Sequence, residues 1–256
     1  MRTLSIINLK GGVAKTVSSI AIAYILSNTY GYKVLLIDND KQGDSSRGLG
    51  KRDKDKKGID EIMVAEEPDM ESLIEHTEFQ NLDIITANMK LLKANKEVLL
   101  DQQRPQQIRI QRALEKIKEK YDFCIIDNAP DINISTINAL VASNDVIIPL
   151  EIDDNTTDGI EELVEQIESV QKYFNENLKF QGCFVTKYDN KNEAHVQGLV
   201  YLKMMDYPVF ETKIRVSRKV SESTFARKPI FLYSRRSAAA IDYMNLVKEY
   251  LQKCSN

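Results

Sequence analysis

The residues Lys10-Gly11-Gly12-Val13-Ala14-Lys15-Thr16 follow an apolar run, Leu4-Ser5-Ile6-Ile7-Asn8-Leu9, and open a helical pattern near Lys15. A strand that runs through a glycine-bearing turn into a helix start is a phosphate cradle. The amides of the turn and the positive end of the helix both face the anion. In such a loop Lys15 reaches the terminal phosphates of a nucleotide and the Thr16 hydroxyl binds Mg²⁺. Lys10 stands too early to be the lysine of a standard loop. Leu9 and Ala14 occupy the positions where the strict G-x-x-x-x-G-K-[ST] pattern has glycine. Alanine resists positive φ at a cost of about 1–2 kcal/mol, so Ala14 is expected to keep helix-like dihedrals.

The chain has 256 residues, 43% of them hydrophobic, enough for a substantial core. Its net charge of −3 advertises no global field for nucleic acid, but the charge is unevenly placed. Eight acidic residues and no basic ones lie between Glu151 and Glu168. Eight basic residues lie between Lys213 and Arg236, against the single acid Glu222. The three cysteines, Cys124, Cys183 and Cys254, are widely spaced and suggest neither a disulfide framework nor a zinc knuckle. No signal peptide or membrane-length apolar run is visible, and a cytoplasmic location is the natural expectation.

Short β-branched runs alternate with longer helical patterns. Expected strands are Thr3–Asn8, Lys33–Asp38, Leu82–Thr86, Phe123–Asp127, Val146–Leu150, Phe180–Thr186 and Val209–Glu211. Expected helices are Lys15–Ser27, Met89–Leu100, Gln106–Lys120, Asn133–Ala142, Thr157–Tyr173, Glu193–Met205 and Ser237–Lys253. Runs such as Val34-Leu35-Leu36-Ile37 imply a sheet covered on both faces. The alternation implies right-handed crossovers and an α/β, doubly wound, mostly parallel sheet flanked by helices. No linker divides the chain, so residues 1–256 are expected to form a single domain. In the last helix Ile241, Met244, Val247 and Leu251 fall at three- and four-residue spacing and are expected to face the core. The charged stretch from Lys51 to Lys57 is expected to be a solvated loop.

Two further segments carry chemistry. The second expected strand ends in Asp38-Asn39-Asp40-Lys41-Gln42-Gly43, which places Asp38 and Asp40 at the ligand-binding ends of the strands. Phe123-Cys124-Ile125-Ile126-Asp127 is an apolar strand ending in an acid, the pattern in which Asp127 holds a metal.

Together, the early Lys10, Gly11-Gly12, Lys15-Thr16, the Asp38–Gly43 segment and the Asp127 strand resemble the ParA/MinD family of deviant Walker ATPases. The basic region adds to the likeness through Ile214-Arg215, Glu222, Lys228-Pro229-Ile230, Tyr233 and Ser237, so the resemblance runs from residue 3 to about 251. It implies a P-loop ATPase with ATP and Mg²⁺ as cofactors. Residues Lys10, Gly11, Gly12, Val13, Ala14, Lys15, Thr16 and Val17 would surround the nucleotide. Thr16, Asp38 and Asp127 would serve the metal, and Lys10, Lys15 and Asp40 would carry the catalysis. Asp40 would orient the attacking water, and Asp38 would support Mg²⁺ or the loop. Lys10 would reach the nucleotide of a second copy, giving an ATP-dependent homodimer. Thr186-Lys187-Tyr188-Asp189 ends an expected strand, the usual place for nucleobase contacts in this sheet topology, and reads equally as a plain surface turn.

Lys213, Arg215, Arg218, Lys219, Arg227, Lys228, Arg235 and Arg236 would furnish a surface for non-specific double-stranded DNA. A ParB-type centromere-binding partner would accelerate hydrolysis and release the dimer from the nucleoid, with no membrane involved. The short form, without a preceding helix-turn-helix segment, is the one resembled. A MinD-like positioning ATPase and an ATP-binding regulator that no longer hydrolyses are the alternatives. The former needs a basic amphipathic C-terminal helix, for which no segment is evident.

Overall fold

A computed structural model describes residues 1–153 and 156–255. In chain order the elements are β1 (Arg2–Ile6), α1 (Lys15–Asn28), β2 (Val34–Asn39), α2 (Asp44–Gly48), α3 (Ile59–Val64), α4 (Met70–Leu73), β3 (Ile74–His76) and β4 (Leu82–Ile85). There follow α5 (Lys90–Leu100), α6 (Arg109–Glu115), β5 (Phe123–Asn128), α7 (Ile134–Val141), β6 (Asp145–Leu150), α8 (Thr156–Tyr173) and β7 (Lys179–Val185). The chain continues through α9 (Glu193–Met204), α10 (Arg218–Phe225), α11 (Ile230–Tyr233) and α12 (Ala238–Ser255).

The strands form one sheet in the order β3-β4-β2-β5-β1-β6-β7, parallel except for the short edge strand β3. Every residue of β2, β5 and β6 is buried, as expected of a sheet covered on both faces. Alternation of side chains divides the core. Leu4, Ile6, Leu36 and Ile125 join a layer with α1 and α12. Leu35, Ile37, Cys124 and Ile126 join a layer with α3, α5, α6 and α7. The register sets Asp38 beside Asp127 and Asn39 beside Asn128 at the carboxyl ends of β2 and β5. That pairing is what assembles the polar end of the molecule.

The structure departs from the expected elements where tertiary contacts outbid local pattern. Val209–Glu211 is no strand: Val209 makes only an isolated bridge to Cys183. Beyond it, Glu249 accepts the amides of Glu211 and Thr212 at 2.8 and 3.0 Å, so these two residues make no ladder with β7 before the Ile214 amide returns to the Val185 carbonyl at 2.8 Å. The helix expected over Gln106–Lys120 shrinks to α6. Gln106 Nε2 instead donates to the carbonyls of Leu99 and Asp101, and Asn138 Oδ1 accepts the Arg109 amide where the helix begins.

In α12 the buried face is Ala239, Ala240, Tyr243, Leu246, Val247 and Tyr250, while Ile241 is 44% exposed. The expected stripe is therefore rotated. Two alanines let α12 approach α1 closely, and the two tyrosines are buried because their hydroxyls find partners, Ser18 Oγ at 2.9 Å and Asp145 Oδ2 at 2.8 Å.

Candidate nucleotide site

The loop between β1 and α1 runs over the carboxyl end of the sheet. Gly12 has φ 78°, and a Cβ at Gly11 or Gly12 would meet nothing within 4 Å, so the loop borders open space. Ala14 has φ 67° and ψ 25°, which corrects the helix-like dihedrals expected of it. The left-handed turn is what swings the chain from the loop into α1, and its carbonyl accepts the Ser18 amide at 2.9 Å to start the helix. The strain is therefore local to the loop, a feature common at functional sites. Ala14→Gly is expected to raise the melting temperature by about 2–4 °C, the shift for about 1 kcal/mol in a chain of this size. Differential scanning calorimetry of the two proteins checks it.

Lys15 is 8% exposed, and its Nζ donates to the Lys10 carbonyl at 3.0 Å. Burial pushes its ammonium below the ordinary lysine value, against the opposing pull of Asp127, Asp40 and Asp131. Three carboxylates from two separate strand ends thus share the field of one lysine. Lys15, Asp40 and Asp127, expected to act together, are brought together.

Asp127 is 1% exposed and accepts hydroxyls from Ser19 at 3.0 Å, Ser45 at 2.7 Å and Thr16. Asp38, fully buried, accepts the amide and hydroxyl of Ser46 at 2.7 and 2.6 Å and the Asp40 amide at 3.2 Å. Burial, and then repulsion from Asp127, push Asp38 up to about 7. Burial likewise raises Asp127, opposed by its three hydroxyl donors and Lys15. Two desolvated carboxylates side by side, with the Thr16 hydroxyl on one of them, suit a hard divalent cation. Among the described residues no group of three or more His, Cys, Asp or Glu forms a metal cage.

The serines that hold these carboxylates, Ser19, Ser45 and Ser46, have no role that the sequence alone makes evident. Their one signal is their place, Ser19 near the start of α1 after the glycine loop and Ser45 and Ser46 in α2 after the acidic end of β2. Asp153 is likewise invisible to sequence reasoning: it pairs with the Lys10 ammonium, so in the single chain the early lysine is held in cis. Lys41, next to Asp40, lies 3.7 Å from Asp131.

Val13 is buried, and its carbonyl accepts the Thr186 hydroxyl at 3.2 Å, which ties the loop to the end of β7. Lys187 pairs with Glu151 at 2.7 Å, Tyr188 tilts against His195, and Asp189 accepts the Lys191 amide at 3.0 Å.

The basic residues divide. Arg215 makes a two-pronged pair with buried Asp242, at 2.7 to 3.2 Å, and Lys219 pairs with Glu222 at 2.7 Å. Lys213 lies 6.0 Å from the Tyr188 ring, and Arg235 packs 5.2 Å from the Phe231 ring. Arg218, Arg227, Lys228 and Arg236 form no ion pair among the described residues. Arg227 and Lys228 line one cavity of about 420 Å³ together with Thr16 and Val17 of α1. The phosphate end of the loop and the basic stretch are therefore neighbours. No helix among the described residues is long and apolar enough to cross a membrane.

A family model described as an AAA domain matches residues 1–180. The sporulation initiation inhibitor protein Soj of Bacillus subtilis is 34% identical over 249 residues, covering 97% of each chain. The chromosome partitioning protein ParA of Caulobacter vibrioides is 32% identical, covering 99% of this chain and 95% of its own. Among solved structures, a cobyrinic acid a,c-diamide synthase from Mycobacterium smegmatis with bound ADP and magnesium superimposes with a TM-score of 0.86. It is 27% identical, with 100% of this chain and 96% of that chain covered.

Proposed function

The chain belongs to the AAA-domain family and to the family of the chromosome-partitioning proteins Soj and ParA, and from that premise we propose how it works as an ATP-driven partition ATPase. Residues 1–256 act as one ATPase domain that uses ATP and Mg²⁺ to form a homodimer. The loaded dimer grips double-stranded DNA without regard to sequence at the nucleoid. A ParB-type partner then stimulates hydrolysis and frees it. The observation that carries this reading is the convergence of Lys15, Asp40 and Asp127 at one end of the sheet.

Phosphoryl transfer to water needs positioning and charge neutralisation more than covalent help. The amides from Gly11 to Val17 cradle the phosphates, and Lys15 neutralises the terminal one. Thr16 and Asp127, with Asp38 behind them, hold the metal, which when bound offsets phosphate charge. Asp38 also fixes the loop through Ser46, which leaves Asp40 as the carboxylate able to orient water. Lys10, released from Asp153, completes the charge around the nucleotide of the second copy.

DNA binding is carried by Arg218, Arg227, Lys228 and Arg236, whose charges meet no ion-pair partner among the described residues, with Lys213, Lys219 and Arg235 beside them. Arg215 acts chiefly through Asp242. The cavity shared by Thr16, Val17, Arg227 and Lys228 is the support for coupling nucleotide state to this surface.

DNA co-sedimentation with ADP, ATP and a non-hydrolysable analogue tests the function. Retention is expected only with the triphosphates, and retention independent of nucleotide would refute the switch. Arg218→Glu with Arg227→Glu is expected to abolish retention at moderate salt and leave basal ATP turnover intact. For milder Ala versions, the slope of log affinity against log salt should become shallower by about 0.9 for each phosphate left without its cation. An unchanged slope would mean that DNA lies elsewhere.

A further inference from the structure

Helix α9 turns an apolar side to solvent. Val196, Val200 and Met204 recur every fourth residue, so they stack on one side over about 12 Å, or two turns. They are 42%, 57% and 80% exposed, and Tyr201 next to them is 58% exposed. The other side of α9 is committed. Leu202 is buried, Leu199 packs against the same core, and a Cβ on Gly198 would stand 2.3 Å from Ile152 Cγ2. Rolling the helix to hide its apolar residues would therefore unseat the inner ones. A contiguous exposed apolar strip of this kind marks an interaction surface.

The border of the strip is acidic. Helix α8 lies beside α9, and its Ile160, Leu163, Val164 and Ile167 share one core with Leu202. Glu161, Glu165 and Glu168 follow at four- and three-residue spacing on one exposed flank of α8. None of the three forms an ion pair among the described residues. Tyr207, just past the end of α9, shows which way that flank points. Burial pushes its phenol up, and the charges of Glu161, Glu168 and Glu165 push the same way. The one lysine of α9, Lys203, is already held by both oxygens of Glu211 at 2.8 and 2.9 Å. The one basic residue of α8, Lys172, stands in its last turn, 5.0 Å from the Tyr173 ring.

An apolar strip next to a row of unpaired carboxylates selects its occupant. A neutral or acidic surface laid on it would take charge out of water with nothing in return. A second copy docked face to face would set the acidic row near itself, because a two-fold interface pairs one patch with the same patch. A helix with an apolar face and a flank of lysine or arginine meets both demands, and the strip has the length of two turns of such a helix, about 11 Å. Met204, flexible and polarizable, adapts to the side chains of whatever helix lies there.

We propose that the face shared by α8 and α9 docks a partner protein through a basic amphipathic helix. Val196, Val200, Tyr201 and Met204 receive its apolar residues, and Glu161, Glu165 and Glu168 pair with its cations. This docking does not rest on the ATPase reading.

The probe is a fluorescent amphipathic helix made only of leucine and lysine, titrated into the full chain and followed by anisotropy. A scrambled peptide of the same composition and a leucine–glutamate helix are run beside it. The basic helix is expected to bind saturably and at least about tenfold more tightly than either control. Val200→Ser with Met204→Ser should weaken it by about tenfold or more. Glu161→Gln with Glu165→Gln should weaken it by at least about fivefold and flatten its salt dependence. All four positions are exposed, and thermal melting checks that each variant keeps its fold. Glu78→Gln with Glu119→Gln, two exposed acids outside α8, should leave binding unchanged. Equal binding of the scrambled peptide, or an equal loss in the Glu78 and Glu119 variant, would overturn the site. A chain that doubles its mass without peptide, and no longer does so in Val200→Ser with Met204→Ser, would give the face to a second copy and overturn the partner assignment.

Discussion

Lys10→Ala is expected to abolish ATP-driven dimerisation and to cut ATP turnover by about 100-fold or more, the scale of a cation supplied across an interface to a transferring phosphoryl group. Affinity for ATP should change by less than about tenfold, or 1.4 kcal/mol. The split follows from how the loop is held. The Lys10 carbonyl, not its side chain, receives Lys15 at 3.0 Å, and the Lys10 amide is fixed by Asn8 Oδ1 at 2.8 Å. Truncation therefore leaves the cradle and the buried lysine in place. What it removes is an ammonium that the single chain parks on Asp153. Both partners of that pair are more than a third exposed, at 45% and 37%. Exposed pairs of this kind contribute about 0–1 kcal/mol, so a triphosphate can displace Asp153 at little cost. Asp153→Ala is the companion variant and should dimerise at equal or lower ATP concentration than wild type. Light scattering with a non-hydrolysable analogue reads the mass, and phosphate release reads turnover. A Lys10→Ala protein that dimerises with the wild-type midpoint would remove Lys10 from the interface.

Much of the sheet was legible because burial on both faces leaves a continuous apolar signature, as in Val34-Leu35-Leu36-Ile37 or Phe123–Ile126. Edge strand β3 carries no such signature: Ile74-Glu75-His76 is half polar and pairs on one side only. Site residues adjacent in sequence to the glycine loop or to a strand end were legible too. Partners supplied from far along the chain were not. Nothing near Lys10 points to Asp153, and nothing near Arg215 points to Asp242, yet the second pairing turns a cation expected to face DNA into a brace for α12.

Ala14 shows the opposite failure. Propensity argued for relaxed dihedrals, and the loop imposed a left-handed turn on a residue ill suited to it. The α12 stripe failed for a related reason. Hydropathy weights Ile241 above Ala239 and Ala240, whereas close approach to α1 favours the small residues and leaves Ile241 outside.

Asp40→Ala should separate hydrolysis from everything that precedes it. Turnover is expected to fall by about 100-fold or more, the usual contribution of a positioned carboxylate acting on a proton. ATP binding, dimerisation and DNA retention should persist, so that the protein stays locked on DNA. The reason lies in how differently the two neighbouring aspartates are used. Asp38 is fully buried, and Ser46 and the Asp40 amide occupy its oxygens, so its carboxylate is part of the scaffold. Asp40 is only half-buried and accepts the Gln42 amide through Oδ1 at 2.9 Å, while its charge reaches Lys15.

Removing Asp40 thus takes away a group at the phosphate end without unmaking the loop. Removing Asp38 frees two Ser46 donors inside the core, and Asp38→Ala should lose about 1–3 kcal/mol of stability along with activity. The contrast is read by phosphate release at saturating ATP together with chemical denaturation of both variants. A fall in kcat with unchanged nucleotide affinity places the missing interaction in the transition state. Asp40→Asn refines the outcome, since it keeps an acceptor for Gln42 but not the charge; recovery of the rate would make Asp40 a positioning group only. If Asp40→Ala turned over at the wild-type rate while the stably folded Asp38→Asn were inactive, the water would belong to Asp38.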